Sequence, residues 1–135
     1  MTAGYSATPL VRKLGFKPGM RAYYANAPDG FQALLGELPD GVRVLARPAD
    51  GLDLVVLFVR ERRELERRLP GLQRRLDAAG MLWVAWPKRA AKPATDMTED
   101  LVRAVALPGG LVDVEVCAID ATWSGLKLVI PRELR

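Results

Sequence analysis

Residues 52–59 form an almost unbroken apolar run, LDLVVLFV, which constrains the fold more than any other feature of the chain. A strand with one solvent-facing side alternates apolar and polar residues, whereas a strand covered by helices on both faces does not. A second run of this kind, MLWVAW, occupies residues 81–86. The two runs predict buried strands of a mostly parallel sheet.

The segments around these runs alternate between strand and helix patterns, which predicts an α/β domain with right-handed crossovers. Further strands are predicted over residues 20–25 and 42–46. Helices are predicted over residues 8–14 and 30–35, and Asp29 is expected to cap the second of them. A basic, proline-bounded loop is predicted over residues 87–94.

The segment between the two apolar runs carries leucines at helical spacing, but Pro70 interrupts it. Because proline lacks the N–H that a helix interior needs, two helices are predicted. The first ends near Arg68, and the second runs from Pro70 to about Ala79 and Gly80.

The last third of the chain predicts one helix and one hairpin. Asp96 and Glu99 have the spacing of a capping box, which places a helix over residues 96–107. Strands are predicted over residues 112–119 and 126–130, and the connection between them, residues 120–125, is short enough for an antiparallel hairpin. The expected fold is therefore one Rossmann-like domain, residues 1–135, with five to seven strands.

Composition removes several classes of chemistry. The 135 residues include no histidine and one cysteine, Cys117, so catalytic triads and zinc sites lose their usual groups and no metal site is expected. No apolar stretch is long enough to cross a bilayer, and the N-terminal segment does not resemble a signal peptide, so a cytoplasmic protein without membrane contact is expected. The net charge of +4 is modest, and arginines alternate with glutamates along residues 60–75, as is typical of a solvated helix face. Nucleic acid is therefore an unlikely partner.

Two stretches resemble class I S-adenosylmethionine (SAM)-dependent methyltransferases. KLGFKPGMRAYYANAPDGF is similar to the lead-in helix, first strand and glycine-rich loop of that family, and LDLVVLFV followed by LDAAGMLWVAWP is similar to its fourth strand, crossover helix and fifth strand. The resemblance implies a methyltransferase-like sheet that lacks one strand and helix unit and ends in an antiparallel hairpin.

The residues that would hold the cofactor in that family differ here. The family's first strand leads into a G-x-G loop, but this chain has Asn26, Ala27 and Pro28 there, and Ala46 or Arg47 replaces the acid that would hold the ribose. SAM is therefore not expected in the family's usual pose, and no cofactor is predicted.

The chain as a whole is also similar to a bacterial family known as a domain of unknown function. The stretches LWVAWPK, TDMTED and VCAIDATWSGLKLVI carry this resemblance. It implies no particular activity, substrate or partner.

Polar and aromatic residues follow several predicted strands at the sheet edge where α/β folds bind ligands. A site for a small polar ligand is predicted from Trp86, Lys88, Thr95, Asp96, Asp120 and Trp123. The alternative is that both tryptophans pack beneath the loops while Lys88 is solvated.

The main functional hypothesis is a non-catalytic methyltransferase-like domain that binds a protein partner or a small ligand, and it assigns no catalytic residues. One alternative is a small enzyme or nucleotide-binding protein that uses Lys88, Asp96 and Asp120. A nucleic-acid-associated basic protein is the third.

Overall fold

The computed structural model of the chain describes residues 8–89 and 95–135. Residues 1–7, and residues 90–94 of the predicted basic loop, lie outside the described part. The strands are β1 (Arg21–Ala25), β2 (Arg43–Leu45), β3 (Leu52–Phe58), β4 (Leu76–Pro87), β5 (Val112–Ala118) and β6 (Trp123–Val129). The helices are α1 (Leu10–Lys13), α2 (Phe31–Leu35), α3 (Arg62–Arg75) and α4 (Glu99–Ala106), with short 3-10 turns at Leu107–Gly109 and Arg132–Leu134.

The six strands form one sheet in the order β2-β1-β3-β4-β6-β5. Strands β2, β1, β3 and β4 are parallel, whereas β6 is antiparallel to both β4 and β5. The predicted mostly parallel sheet with a C-terminal antiparallel hairpin is confirmed. Strand β6 lies inside the sheet, so β5 forms the edge and runs in the same direction as β4.

Helices cover both faces of the sheet. One core contains Leu65, Leu69 and Leu72 of α3 together with Val102 and Ala106 of α4. The other core contains Leu14, which follows α1, and two residues of α2. Side chains of β4 alternate between the two cores, and six of the seven residues of β3 are buried, as expected for a strand covered on both sides.

Helix α3 differs from its prediction at Pro70, where an interruption was expected, and at its C-terminal end. It runs without interruption through Pro70 and ends at Arg75, and Leu76 already pairs with Leu52 in the sheet. A proline in a helix interior costs about 3 kcal/mol. The leucines on both sides of Pro70 each contribute roughly 1.5–3 kcal/mol by burial, which offsets that cost.

Gly80 lies in β4 and does not end a helix. A Cβ atom at this position would lie 2.7 Å from the backbone oxygen of Leu52, so the glycine allows a close approach of two strands.

The predicted caps also differ. The N-cap of α4 is Thr98, whose side chain accepts a hydrogen bond from the Leu101 N–H at 3.1 Å. Asp96 lies outside this helix and accepts a hydrogen bond from the Arg62 N–H at 2.9 Å, in the first turn of α3. The N-cap of α2 is Gly30 with φ of 87°, and Asp29 makes no capping bond. Several residues that can act as an N-cap lie close together before α2 and before α4, so the local sequence does not show which of them is the cap.

The hairpin connection is shorter than predicted, because β6 begins at Trp123 and the loop is residues 119–122. Gly125 is therefore a strand residue. A Cβ atom there would lie 3.1 Å from the Trp83 ring and 3.2 Å from the Ile119 side chain. The glycine allows β6 to pack beneath these two side chains.

Candidate functional site

A cleft lies at the edge of the sheet where the parallel strands end. Strands β1 and β3 end there, and the loop between β5 and β6 reaches the same edge because β5 runs in the same direction as they do. The cleft has two hollows, with volumes of about 210 and 330 Å³. Pro28, Phe58 and Trp123 line both hollows, so the two lie side by side. This edge is where open α/β sheets bind ligands.

The smaller hollow is organised around Arg60, the second residue after β3. The Glu64 carboxylate accepts a hydrogen bond from the Arg60 N–H at 3.2 Å and a second from the Asn26 side-chain amide at 3.1 Å. The Thr95 hydroxyl donates to the Arg60 carbonyl oxygen at 2.7 Å. Both backbone polar groups of Arg60 are therefore held by side chains from other positions.

The Arg60 side chain lies over an aromatic ring. Its guanidinium carbon is 5.9 Å from the centroid of the Trp123 ring, within the range of a cation–π contact. No carboxylate of residues 8–89 or 95–135 forms an ion pair with this guanidinium. The exposed Arg60 side chain is thus a cation that faces the hollow.

A row of edge-to-face aromatic contacts forms the wall beneath Arg60. Ring centroids are 5.0 Å apart for Tyr24 and Phe31, 4.9 Å for Phe31 and Phe58, and 5.0 Å for Phe58 and Trp123. These distances lie in the favourable range for aromatic pairs. The Tyr24 hydroxyl is buried without a hydrogen-bond partner among the described residues, and burial raises the pKa of Tyr24 to about 12.

The larger hollow is bounded by the turn between β5 and β6. The Asp120 carboxylate accepts hydrogen bonds from the backbone N–H groups of Thr122 and Trp123, both at 2.8 Å. The Lys88 ammonium donates to the Asp120 carbonyl oxygen at 2.8 Å, and the Lys88 N–H donates to the Thr122 carbonyl oxygen at the same distance. Lys88 and Asp120 therefore stabilise the turn.

The structure brings five of the six predicted site residues to one edge. Lys88, Asp120 and Trp123 contact one another through the turn. Thr95 and Asp96 lie beside the start of α3: Thr95 bonds to Arg60, which lies over Trp123, and Asp96 bonds to the Arg62 N–H.

Trp86 lies elsewhere. Its side chain is buried in the core beneath α3 and α4, on the opposite face of the sheet from Trp123. Successive strand residues point to opposite faces, so Trp86 points away from the face of its neighbour Ala85. The ligand-binding role of the predicted residues stays a prediction.

The sequence pattern places Arg60 on a solvated helix face and marks Asn26 only as a missing glycine. Asn26 directly follows β1 and Arg60 is the second residue after β3, so the rule that selected Lys88 also applies to them. The hydrogen bond between Asn26 and Glu64 joins positions 38 residues apart, so no local pattern predicts it.

Cys117 and a bound metal ion would be two other sources of reactivity in this domain, and the described part of the chain supports neither. Cys117 is half-buried, and burial raises the pKa of its thiol, which opposes a nucleophilic role. Within the two described ranges, no group of three His, Cys, Asp or Glu residues is placed to hold a metal ion. No helix of the described part is long and apolar enough to cross a membrane.

The structure is similar to solved structures of methyltransferases. A SAM-dependent methyltransferase from Aquifex aeolicus matches with a TM-score of 0.66 at 16% identity, covering 90% of this chain and 88% of that one. A ribosomal protein L11 methylase from Lactobacillus delbrueckii subsp. bulgaricus matches at 0.62 and 10% identity, covering 91% and 75%. Fibrillarin from Aeropyrum pernix, solved with natively bound SAM, matches at 0.57 and 13% identity, covering 90% and 69%. At these identities the similarity shows the fold.

The chain thus has the Rossmann-like fold of class I SAM-dependent methyltransferases, with a six-stranded sheet. No protein-family model matches the sequence, and the search of curated proteins finds no match. The resemblance to a bacterial domain family therefore stays a prediction.

The cofactor implied by this fold does not fit the residues present. Asn26 has a φ of 59° at a position where the family has glycine, and its amide is bound to Glu64. Pro28 has no N–H to donate to a ligand. Strand β2 ends at Leu45, and Ala46 and Arg47 follow it in place of an acid that would bind ribose hydroxyls.

Proposed function

We propose that this chain is a non-catalytic methyltransferase-like domain that binds a small polar ligand in the cleft at the carboxyl ends of β1 and β3. One observation carries the proposal: the cleft holds the Arg60 guanidinium, which has no ion-pair partner among residues 8–89 and 95–135, while the polar groups around it are used to build the loops. Such an arrangement provides recognition without an obvious acid or base.

The enzyme alternative depends on Lys88, Asp96 and Asp120, and the contacts of these residues count against it. The Lys88 ammonium is bound to a backbone carbonyl oxygen, and the two carboxylates accept backbone N–H groups. A general acid or base must reach the proton that it transfers. Groups that already stabilise a turn or a helix end are poorly suited to this task.

A protein partner is the second candidate, and a different surface supports it. Val112, Val114 and Val116 of the edge strand β5 are 40%, 51% and 43% exposed. An edge strand also has unpaired backbone N–H and C=O groups that can pair with another chain. A cytoplasmic location and the absence of a nucleic-acid partner stay predictions.

A ligand screen followed by NMR tests the proposal. The full chain is screened by thermal shift against SAM, S-adenosylhomocysteine, nucleotides and a library of small polar compounds. A ligand at about 100 times its Kd stabilises the fold by about 2.7 kcal/mol. We expect no stabilisation by SAM, and we expect the compounds that stabilise the protein to shift the NMR signals of Trp123 and Thr122.

Two outcomes would contradict the proposal. Tight SAM binding that is lost in Asn26→Ala or Arg47→Ala, but kept in the control Arg43→Ala, would establish the usual cofactor pose. A screen without any stabilising compound would favour the protein-partner candidate, whose expected sign is a shift of the β5 signals when a partner is added.

A further inference from the structure

We infer that the ligand of this cleft carries an anionic group, a carboxylate or a phosphate, and that the Arg60 guanidinium binds it. This inference rests on the proposed ligand-binding function and specifies its chemistry. It concerns the smaller hollow, which Asn26, Pro28, Phe58, Arg60, Glu64 and Trp123 line.

Arg60 differs from Arg62, which pairs with Glu66 at 3.2 Å. Arg67, Arg68 and Arg74 of α3 also have no ion pair within the described part of the chain. What distinguishes Arg60 from them is its place over the Trp123 ring, in a hollow at the edge where β1 and β3 end. Arg60 has no ion-pair partner among the described residues, although Glu64 lines the same hollow; the two Glu64 oxygens accept from the Arg60 N–H and the Asn26 amide. The N–H donors of the Arg60 guanidinium therefore remain available to a ligand.

Arg60 is also held in place before a ligand arrives. Its backbone N–H and C=O are both bound by side chains, and its guanidinium lies over Trp123. Trp123 is itself fixed by the edge-to-face contact with Phe58 and by the Asp120 carboxylate. A preorganised side chain loses less conformational freedom on binding. The planar guanidinium also matches the two oxygens of a carboxylate or phosphate.

The size of the smaller hollow also suits a small anion. The hollow of about 210 Å³ is about seven times the ~30 Å³ that a water molecule occupies in the liquid. It accommodates a carboxylate or phosphate with a few further heavy atoms. The rest of a ligand can cross Pro28, Phe58 and Trp123 into the larger hollow, where Leu34 and Ile119 offer apolar contacts. The expected ligand is thus a small organic anion.

The test uses four probes that share one aromatic ring but differ in charge: benzoate, phenyl phosphate, benzyl alcohol and benzylamine. Binding to the ¹⁵N-labelled full chain is followed through the Trp123 indole and Thr122 amide signals. Arg60→Gln removes the cation from the hollow. Arg63→Gln is the matched control, because Arg63 is an exposed arginine in the first turn of α3, three residues after Arg60, and the variant loses the same charge.

We expect benzoate, phenyl phosphate or both to shift the cleft signals, with Kd rising about 10- to 100-fold in Arg60→Gln and unchanged in Arg63→Gln. The affinity should also fall as salt is added. The response to benzoate against phenyl phosphate distinguishes a carboxylate ligand from a phosphate ligand.

Equal anion binding by the wild type and Arg60→Gln would overturn the inference. So would cleft shifts produced only by benzyl alcohol or benzylamine, although the proposed ligand-binding function would then stand. If no probe moves the cleft signals, the anion inference is wrong. The wider thermal-shift screen then decides separately whether the cleft binds any ligand.

Discussion

The Trp83 side chain makes a hydrogen bond that anchors the end of α1 to the centre of the sheet, and its replacement by phenylalanine should be costly. The Trp83 indole N–H donates to the Leu14 carbonyl oxygen at 2.9 Å, and both residues are 0% exposed. Leu14 follows α1, whose last carbonyl groups lack partners within the helix. In Trp83→Phe this carbonyl oxygen would be buried without a donor, which costs about 1–3 kcal/mol.

The lost ring atoms add to this cost. Two fewer buried carbon atoms are worth roughly 1.5 kcal/mol at about 0.8 kcal/mol each. We therefore expect Trp83→Phe to lower the free energy of unfolding by about 3–4 kcal/mol. A domain of ordinary stability has only about 5–15 kcal/mol in total.

Trp86→Phe is the matched control, because Trp86 is also buried in β4 but its indole N–H makes no hydrogen bond among the described residues. It should cost only the roughly 1.5 kcal/mol of the lost carbon atoms. Urea unfolding followed by circular dichroism measures both variants. With an m-value of about 2 kcal/mol/M, the two midpoints should differ by about 1 M. Equal midpoints would show that the bond to Leu14 contributes nothing.

Two further predictions concern the helix ends and the buried tyrosine. Asp96→Ala and Thr98→Ala should each cost about 1 kcal/mol, and amide hydrogen exchange should accelerate at the start of α3 in the first variant and of α4 in the second. Acceleration at α4 in both would support the capping box predicted from the sequence. Tyr24→Phe should preserve or raise stability at neutral pH, because the buried hydroxyl has no partner among the described residues. The folded-state pKa of Tyr24 is about 12 and the unfolded value is about 10, so wild-type stability should fall as pH rises through this interval, and the variant should lack that part of the loss. Urea unfolding at several pH values measures it, and identical pH profiles would contradict the burial of the hydroxyl.

The sequence predicted the sheet better than it predicted the ends of its elements. An apolar run such as LDLVVLFV reports burial on both faces, which is a property of the strand itself. The end of α3 depends on other parts of the chain: Leu76 leaves the helix because it pairs with Leu52 in β3. Gly125 has the composition of a turn residue but lies in β6 beneath Trp83 and Ile119. Such contacts link distant positions, so local patterns cannot show them.

The same distinction explains the outcome at the candidate site. The topology of a parallel sheet predicts that residues after its strands gather at one edge, and Lys88, Asp120 and Trp123 do so. Topology does not predict which polar groups remain free at that edge. Asp96 binds a backbone N–H 34 residues away in the sequence, whereas Arg60, which the local pattern places on a solvated helix face, faces the cleft. A functional group must be available as well as nearby, and that availability depends on long-range hydrogen bonds that appear only once the chain has folded.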